Sequence, residues 1–484
     1  MHVLLAASEL HPYSKTGGLA DAVGSLGRAL ARSGVRVTVV TPFYRGMASR
    51  MGPVTGTPWR FDLLLGGEWV EGEFMRVREE SGMEVWFVRN DPFFDRPGLY
   101  NEGQHDYADN AARFLFLARA ALLVARHAAV PVEVVHAHDW QVGMLPLLVH
   151  HARIAGGWHG APRTLFTIHN LAYQGGFASQ AWLLSGLPWS WYHLESAAHG
   201  GGVNFLKAGL CLADALSTVS PRYAREICTP EFGCGLDGVL RRREHDLCGI
   251  LNGVDYAEWN TTRNPALPHA YDSADLRGKA LNKAALQREM GLAEDASVPL
   301  FGNVSRLTDQ KGCDLLAQAL ERMLPGERMQ FALLGSGDPV LERSFRSLAA
   351  RFPGRVAARI GFDPGLAHRI EAASDFYVMP SRFEPCGLNQ LYSLRYGAIP
   401  VVRATGGLAD SVVDARDDAA SATGIHFHEA SVTALHWAMR KALALHASPE
   451  AMEHYRLNGM NRDFSWETQA REYVRLYGEI LHGP

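Results

Sequence analysis

Short apolar runs alternate with longer amphipathic segments along most of this chain, and they do so in two series. The first series of runs falls at 3–7, 35–40, 85–88, 132–136, 165–169 and 215–219, with helical patterns such as 19–31 and 111–125 between them. The second falls at 299–304, 329–334, 356–360, 376–379 and 399–402, again with helices between. Alternating strand and helix implies parallel sheets covered on both faces. The pattern therefore predicts an α/β chain built from two doubly wound sheets. At 484 residues, with 47% hydrophobic and 20% charged residues, the chain exceeds one ordinary domain and can bury a large core.

The join is expected near 251–256, ahead of an irregular, proline-containing stretch at 261–275. This gives an N-terminal domain over 1–250 and a C-terminal domain over 251–463. A last helix over 464–484 follows, carrying Trp466, Ala470, Tyr473, Val474, Tyr477, Ile480 and Leu481 on one face. Such a stripe must dock, and we expect it to cross back onto the N-terminal domain. The string TGGLAD occurs at 16–21 and again at 405–410, each time between a strand and a helix, which supports two related halves.

A net charge of −4 gives no overall attraction to nucleic acid or an anionic membrane, so any anion site must be local. The apolar stretch 114–130 contains Arg119, Arg126 and His127 and is too short and charged to span a bilayer. None of the six cysteines forms a CxxC pair, so they read as buried thiols of a reducing compartment. No secretory leader is apparent in the first residues. The chain is expected to be soluble and cytoplasmic, and its oligomeric state is left open.

Four constellations could carry chemistry. Lys15-Thr16-Gly17-Gly18 precedes a helix and could offer amides and an ammonium to an anion. Arg306 and Lys311, in the loop after strand 299–304, supply a planar fork and a point charge suited to phosphate oxygens. Glu384, in Ser381-Arg382-Phe383-Glu384-Pro385-Cys386-Gly387-Leu388, could bind sugar hydroxyls or stabilise positive charge at an anomeric carbon. His136, His138, Asp139 and His169 cluster at strand ends and admit a metal reading, but no further carboxylate or cysteine group stands at ligand spacing. Aromatics are dense at Phe93, Phe94 and Tyr100, and at Trp182, Trp189, Trp191 and Tyr192. Flat rings can stack on sugars, although most aromatics serve the core.

KTGGLAD, HAHDW, FTIHNLAYQG, FLKAGL, LNGVD, VSRLTDQKG, LLGSGDP and SRFEPCGLNQLYSLRYG occur in one order. Together they closely resemble the bacterial glycogen synthase and plant starch synthase family. The resemblance implies a GT-B fold, two Rossmann-like doubly wound domains separated by a deep cleft. It also implies retaining, metal-independent transfer of glucose from ADP-glucose to the non-reducing end of an α-1,4-glucan such as glycogen, with no cofactor. Carried over, Glu384 is the carboxylate near the donor glucose, His169 contacts the donor sugar, and Arg306 and Lys311 neutralise the leaving diphosphate. Lys15, Gly18, Asp21, Asn252, Cys386, Gly387 and Leu388 are implied at the donor, and Asp139 on the acceptor side. Tyr392 stands where many GT-B enzymes carry a second glutamate, which removes the ribose contact assigned to it. Competing readings are UDP-glucose or another glucan as substrate, a catalytically silent glucan-binding protein, and a metal-dependent hydrolase using His136, His138 and His169. The absence of any Asp-x-Asp and the cations Lys15, Arg306 and Lys311 favour the transferase.

Overall fold

A computed structural model describes residues 1–103 and 105–483. It divides into two compact units, Met1–Gly253 with Trp466–Pro484, and Val254–Ser465. The helix that ends the chain is thus part of the first unit.

The first unit is built on a nine-stranded sheet. Its strands are β1 (His2–Ala6), β2 (Arg36–Pro42), β3 (Trp59–Leu65), β4 (Glu68–Arg78), β5 (Glu84–Arg89), β6 (Val134–His138), β7 (Arg163–Ile168), β8 (Ala215–Thr218) and β9 (Leu247–Gly249). The spatial order is β9-β8-β7-β6-β1-β2-β5-β4-β3. All neighbours from β9 to β5 pair in parallel, and β3 and β4 add an antiparallel edge. That edge was not expected, although Gly66 and Gly67, both at positive φ, form the two-residue turn such a hairpin needs. Every residue of β1 is buried, as befits a central parallel strand. Helix α1 (Gly18–Arg32) covers the sheet with Leu19, Val23, Leu26 and Leu30, one face at helical spacing.

The second unit carries a six-stranded parallel sheet. Its strands are β10 (Leu300–Leu307), β11 (Gln330–Gly337), β12 (Val356–Ile360), β13 (Phe376–Met379), β14 (Ile399–Arg403) and β15 (Ile425–Phe427). They lie in the order β12-β11-β10-β13-β14-β15, which is the 3-2-1-4-5-6 order of dinucleotide-binding sheets. Helix α2 (Cys313–Met323) follows β10, α3 (Asn389–Arg395) follows β13, and α4 (Gly406–Ser411) follows β14. At the amino ends of β10 and β13 the buried Asp375 accepts from Leu300 N (2.9 Å) and pairs with Lys283 (2.7 Å) and Arg456 (2.6 Å). Burial alone would raise this carboxyl, but the two cations hold it below its ordinary range. It straps together the two strands at which the winding reverses.

The last helix, α5 (Trp466–His482), buries Trp466, Ala470, Tyr473 and Tyr477 as the stripe predicts, but Gln469 and Leu476 replace Ile480 and Leu481 on the inner face. Among the described residues, no helix is long and apolar enough to cross a membrane. The cysteines form no disulfide; Cys313 and Cys386 are buried, whereas Cys234 is exposed, contrary to expectation.

The TGGLAD echo is not a domain repeat. The first copy follows β1 and runs into α1, and the second follows β14 and runs into α4, so they follow the first and fifth strands of their sheets. Their backbones differ too. A Cβ on Gly17 would meet nothing within 4 Å, whereas one on Gly407 would lie 2.0 Å from Cys386 O and 2.5 Å from Cys386 Cα. One string serves two needs, an open loop and a close backbone crossing. Gly17→Ala should therefore leave stability within about 1 kcal/mol of wild type, while Gly407→Ala should cost at least about 3 kcal/mol in denaturant melts. Equal effects would show that the crossing can relax.

Candidate active site

In an open parallel sheet, the crevice outside the carboxyl ends of the strands opens where the winding reverses. In the second unit this point lies between β10 and β13, and a cavity of about 180 Å³ opens there. Asn303, Arg306, Lys311, Ser381, Leu388 and Asn389 are among its lining residues. Arg306 projects from the end of β10, and its guanidinium has no protein partner among the described residues. Lys311 reaches Glu384 at 2.6 and 2.9 Å, and Ser381 Oγ donates to the same carboxylate at 2.9 Å. The predicted phosphate ligand and the predicted sugar ligand therefore form one ion pair, in which Glu384 is only 5% exposed.

The pair is placed by two loops pressed backbone to backbone. Gly312 has a positive φ, and a Cβ there would lie 2.0 Å from Pro380 O. Arg382 N donates to Gln310 O (2.8 Å), and the Arg382 guanidinium grips Asp314 at 2.7 and 2.8 Å. On the other side, a Cβ on Gly406 would lie 2.0 Å from Glu384 O, and Gly407 N donates to the carbonyls of Glu384 and Pro385. Cys386 is buried and Gly387 holds φ +71°, where a Cβ would strike Gln390 Oε1 at 2.4 Å. Leu388 and Asn389 line the cavity, and α3 spans seven residues from Asn389. Asn389 Nδ2 donates to Tyr377 OH at 2.8 Å, tying that helix to β13. Tyr392, the departure from the wider pattern, stacks flat on Trp259, with ring centroids 3.5 Å apart. Sequence reasoning missed the supporting contact of Arg382 with Asp314, which spans 68 residues, and that of Ser381 with Glu384, three residues on in the same loop. It also missed Phe362, which follows β12 and is 88% exposed.

The first unit has its own reversal between β1 and β6, and five expected site residues follow β1, β6 and β7. Lys15 is exposed and pairs with Asp21 at 2.7 Å. Gly18 opens α1, but the preceding amides of Thr16 and Gly17 already donate to Glu9, so they are not free for an anion. Asp139 is buried in a strained conformation, φ 61° and ψ 178°, and accepts from His169 N at 2.7 Å. Burial pushes its carboxyl up to about 7. Asn252 is buried one residue before this unit meets the second.

The histidines make a row. His138 Nδ1 lies 3.0 Å from His169 Nε2, and His136 bonds Tyr477 OH (2.8 Å) and Thr167 Oγ1 (2.6 Å). Burial lowers all three, His169 to about 3, so they are neutral rings. Both nitrogens of His136 bond hydroxyls, those of Tyr477 and Thr167. Among the described residues, no group of three His, Cys, Asp or Glu side chains is placed to hold an ion. Of the aromatics, Phe94 and Trp182 are core, while Trp189 is exposed.

Two Rossmann-type units in one chain, with cations and a carboxylate gathered at the reversal of the second, define a glycosyltransferase of the GT-B class. Residues 2–242 match the model of the starch synthase catalytic domain, and residues 290–458 that of glycosyl transferases group 1. The chain is 48% identical to a glycogen synthase from an Anaeromyxobacter species, covering 99% of both chains, and 45% identical to one from Myxococcus xanthus, covering 99% of this chain and 100% of the relative. Among solved structures it is similar to the catalytic domain of starch synthase IV from Arabidopsis thaliana bound to ADP and acarbose, with a TM-score of 0.89 and 33% identity over 99% of each chain. Sucrose-phosphate synthase from Thermosynechococcus elongatus, 18% identical with a TM-score of 0.62 over both whole chains, shares the fold. The chain belongs to the glycogen synthase and starch synthase family.

Two stability predictions follow from this geometry. Removing one partner of a buried ion pair strands the other, so Lys311→Ala should cost about 3 kcal/mol, the low end for a pair whose lysine keeps some solvent contact. Adding Glu384→Gln should restore most of that loss, and Arg306→Ala should cost little; a Lys311→Ala protein as stable as wild type would show that Glu384 is well solvated. Asp139, raised from 3.8 to about 7, favours the folded state least when ionised. Its stabilising proton is fully present below pH 4 and lost as pH rises to 7, a difference on the order of 4 kcal/mol. Asp139→Asn keeps the acceptor for His169 N without the charge. Its melting temperature should exceed that of wild type at pH 8, with the gap closing toward pH 4; a constant gap would contradict the shift.

Proposed function

We propose that this chain transfers glucose from ADP-glucose to the non-reducing 4-hydroxyl of an α-1,4-glucan such as glycogen, with retention at the anomeric carbon and without a metal ion. The observation that carries the reading is that Arg306 and Lys311 line one cavity of the second unit while Lys311 is ion-paired to Glu384. Cleaving glucose from a diphosphate leaves negative charge on phosphate oxygens and positive character on the anomeric carbon. The unpartnered fork of Arg306 suits two of those oxygens. Lys311 has three N–H donors, and Glu384 occupies two of them, leaving one for phosphate. An ammonium held in this way needs no reorganisation as charge develops. The Glu384 carboxylate, held by the same ammonium, offers negative charge to the positive character developing at the anomeric carbon.

In the first unit, Lys15 and Gly18 are our candidates for donor contact, His169 for a neutral hydrogen-bonding partner of the donor sugar, and Asp139 for the acceptor side. The exposed ring of Phe362, at the carboxyl edge of the second sheet, is a candidate platform for the nucleotide base. Adenosine rather than uridine diphosphate is supported by the relative solved with ADP, which is similar to this chain over 99% of both lengths.

Incorporation into glycogen from ADP-glucose and from UDP-glucose, with chelator present, tests the reading. We expect ADP-glucose to be preferred by at least about tenfold and the chelator to have no effect. Arg306→Ala or Lys311→Ala should lower turnover by roughly 10²–10³. Glu384→Gln should abolish transfer yet leave ADP binding measurable by calorimetry. Equal use of the two donors, or loss of activity with chelator, would refute the respective part.

A further inference from the structure

We propose that Glu9 is the positioning residue of the Lys15–Gly18 loop, acting by occupying the loop amides nearest the sheet so that those of the helix start face the donor. This rests on the reading of Lys15 and Gly18 as donor contacts.

Glu9 follows β1 at the reversal of the first sheet and is 3% exposed. No cation pairs with it among the described residues. Its carboxylate instead accepts from Thr16 N (2.5 Å), Thr16 Oγ1 (2.6 Å), Gly17 N (3.4 Å) and Tyr100 OH (2.5 Å). A buried carboxylate is tolerable only when its lone pairs are met, and charge-assisted bonds to backbone amides are the strong kind. The charge therefore fixes the donors as firmly as the donors fix the charge.

The loop has little else to hold it. Lys15, Thr16 and Gly18 are exposed, and a Cβ on Gly17 would meet nothing within 4 Å. Glu9 itself is fixed from behind. Tyr100 also bonds Ser8 Oγ at 2.8 Å, and the segment leading to it is clamped by the buried Arg113, which donates to Phe93 O (2.7 Å) and Leu99 O (2.9 Å). A rigid chain thus runs from Arg113 through Tyr100 and Glu9 to Thr16.

The consequence is a choice among amides. The first N–H groups of α1 have no partner within the helix, and those of Gly18 and Leu19 are the ones that Glu9 does not take. With Thr16 and Gly17 held back, a diphosphate approaching this turn meets Gly18, Leu19 and the Lys15 ammonium together. Without Glu9, Thr16 and Gly17 are released and the three donors no longer share one geometry.

A cycle of Glu9→Gln and Lys15→Ala in the whole chain tests this. Glutamine keeps the volume but points an amide NH2 at groups that also donate. We expect the KM for ADP-glucose to rise at least about tenfold in Glu9→Gln, with kcat and the KM for glycogen changed less than about threefold. The double variant should bind donor no worse than Lys15→Ala alone, because both act through one loop. Thr16→Val, at an exposed position, should shift the donor KM in the same direction by about threefold and covers the case in which Glu9→Gln fails to fold. Calorimetry with ADP reads the same coupling without turnover. If wild type binds ADP but transfers no glucose, the functional reading fails, while weaker ADP binding by Glu9→Gln still upholds the positioning role. Unchanged ADP affinity, multiplicative effects in the double variant, or equal changes in both substrates' KM would overturn it.

Discussion

Lys311 can neutralise a nearly buried Glu384 only because the backbones around them touch with no side chain between. Gly312 crosses Pro380 on one side of the 380–386 segment, and Gly406 and Gly407 cross Glu384 and Cys386 on the other. A methyl group at any of these crossings would push the loops apart by an ångström or more, and the pair would then admit water. Water would weaken the attraction severalfold by raising the local dielectric. The position of the carboxylate is therefore set by peptide groups, which have little freedom, and not by the rotamers of neighbouring side chains. That is the kind of support a site needs if it is to stabilise charge without reorganising.

Both units concentrate their chemistry where neighbouring parallel strands send their connections to opposite faces. In the second unit Arg306 leaves β10 and Ser381 follows β13; in the first, Glu9 follows β1 and Asp139 follows β6. Each pair of strands is adjacent in space and distant in sequence. The electrostatic solutions differ. The second unit presents a cation without a partner beside an ion pair, whereas the first buries a carboxylate among neutral donors and lines up histidines that burial keeps uncharged.

Much of this was legible in the sequence because it depends on local pattern. The runs at 356–360 and 376–379 coincide with β12 and β13, since apolar periodicity reports which faces are covered. The hairpin of β3 and β4 leaves a trace in Gly66-Gly67, but its alternating edge strands lack the continuous apolar runs that mark the buried parallel ones. The gathering of Arg306, Lys311 and Glu384 was readable as three residues at strand ends, but not as an ion pair, because their contact spans 73 residues. Glu9 and Arg113 gave no signal at all: each looks like an ordinary surface charge until its neighbours are known. The TGGLAD echo misled for a physical reason, since glycine is chosen both where space is open and where it is exhausted, and a string does not say which.

The helix that ends the chain belongs to the unit that begins it. Tyr477 closes a hydrogen bond with His136 across 341 residues, and Arg32 meets Glu467 at 2.8 Å. The second unit, by contrast, is one uninterrupted stretch, Val254–Ser465. During synthesis the ribosome must therefore finish the later unit before the earlier one can cover its histidine row. The later unit can reach its native form as a nascent chain, while the earlier waits with an uncovered flank until the final turns of α5 emerge from the exit tunnel.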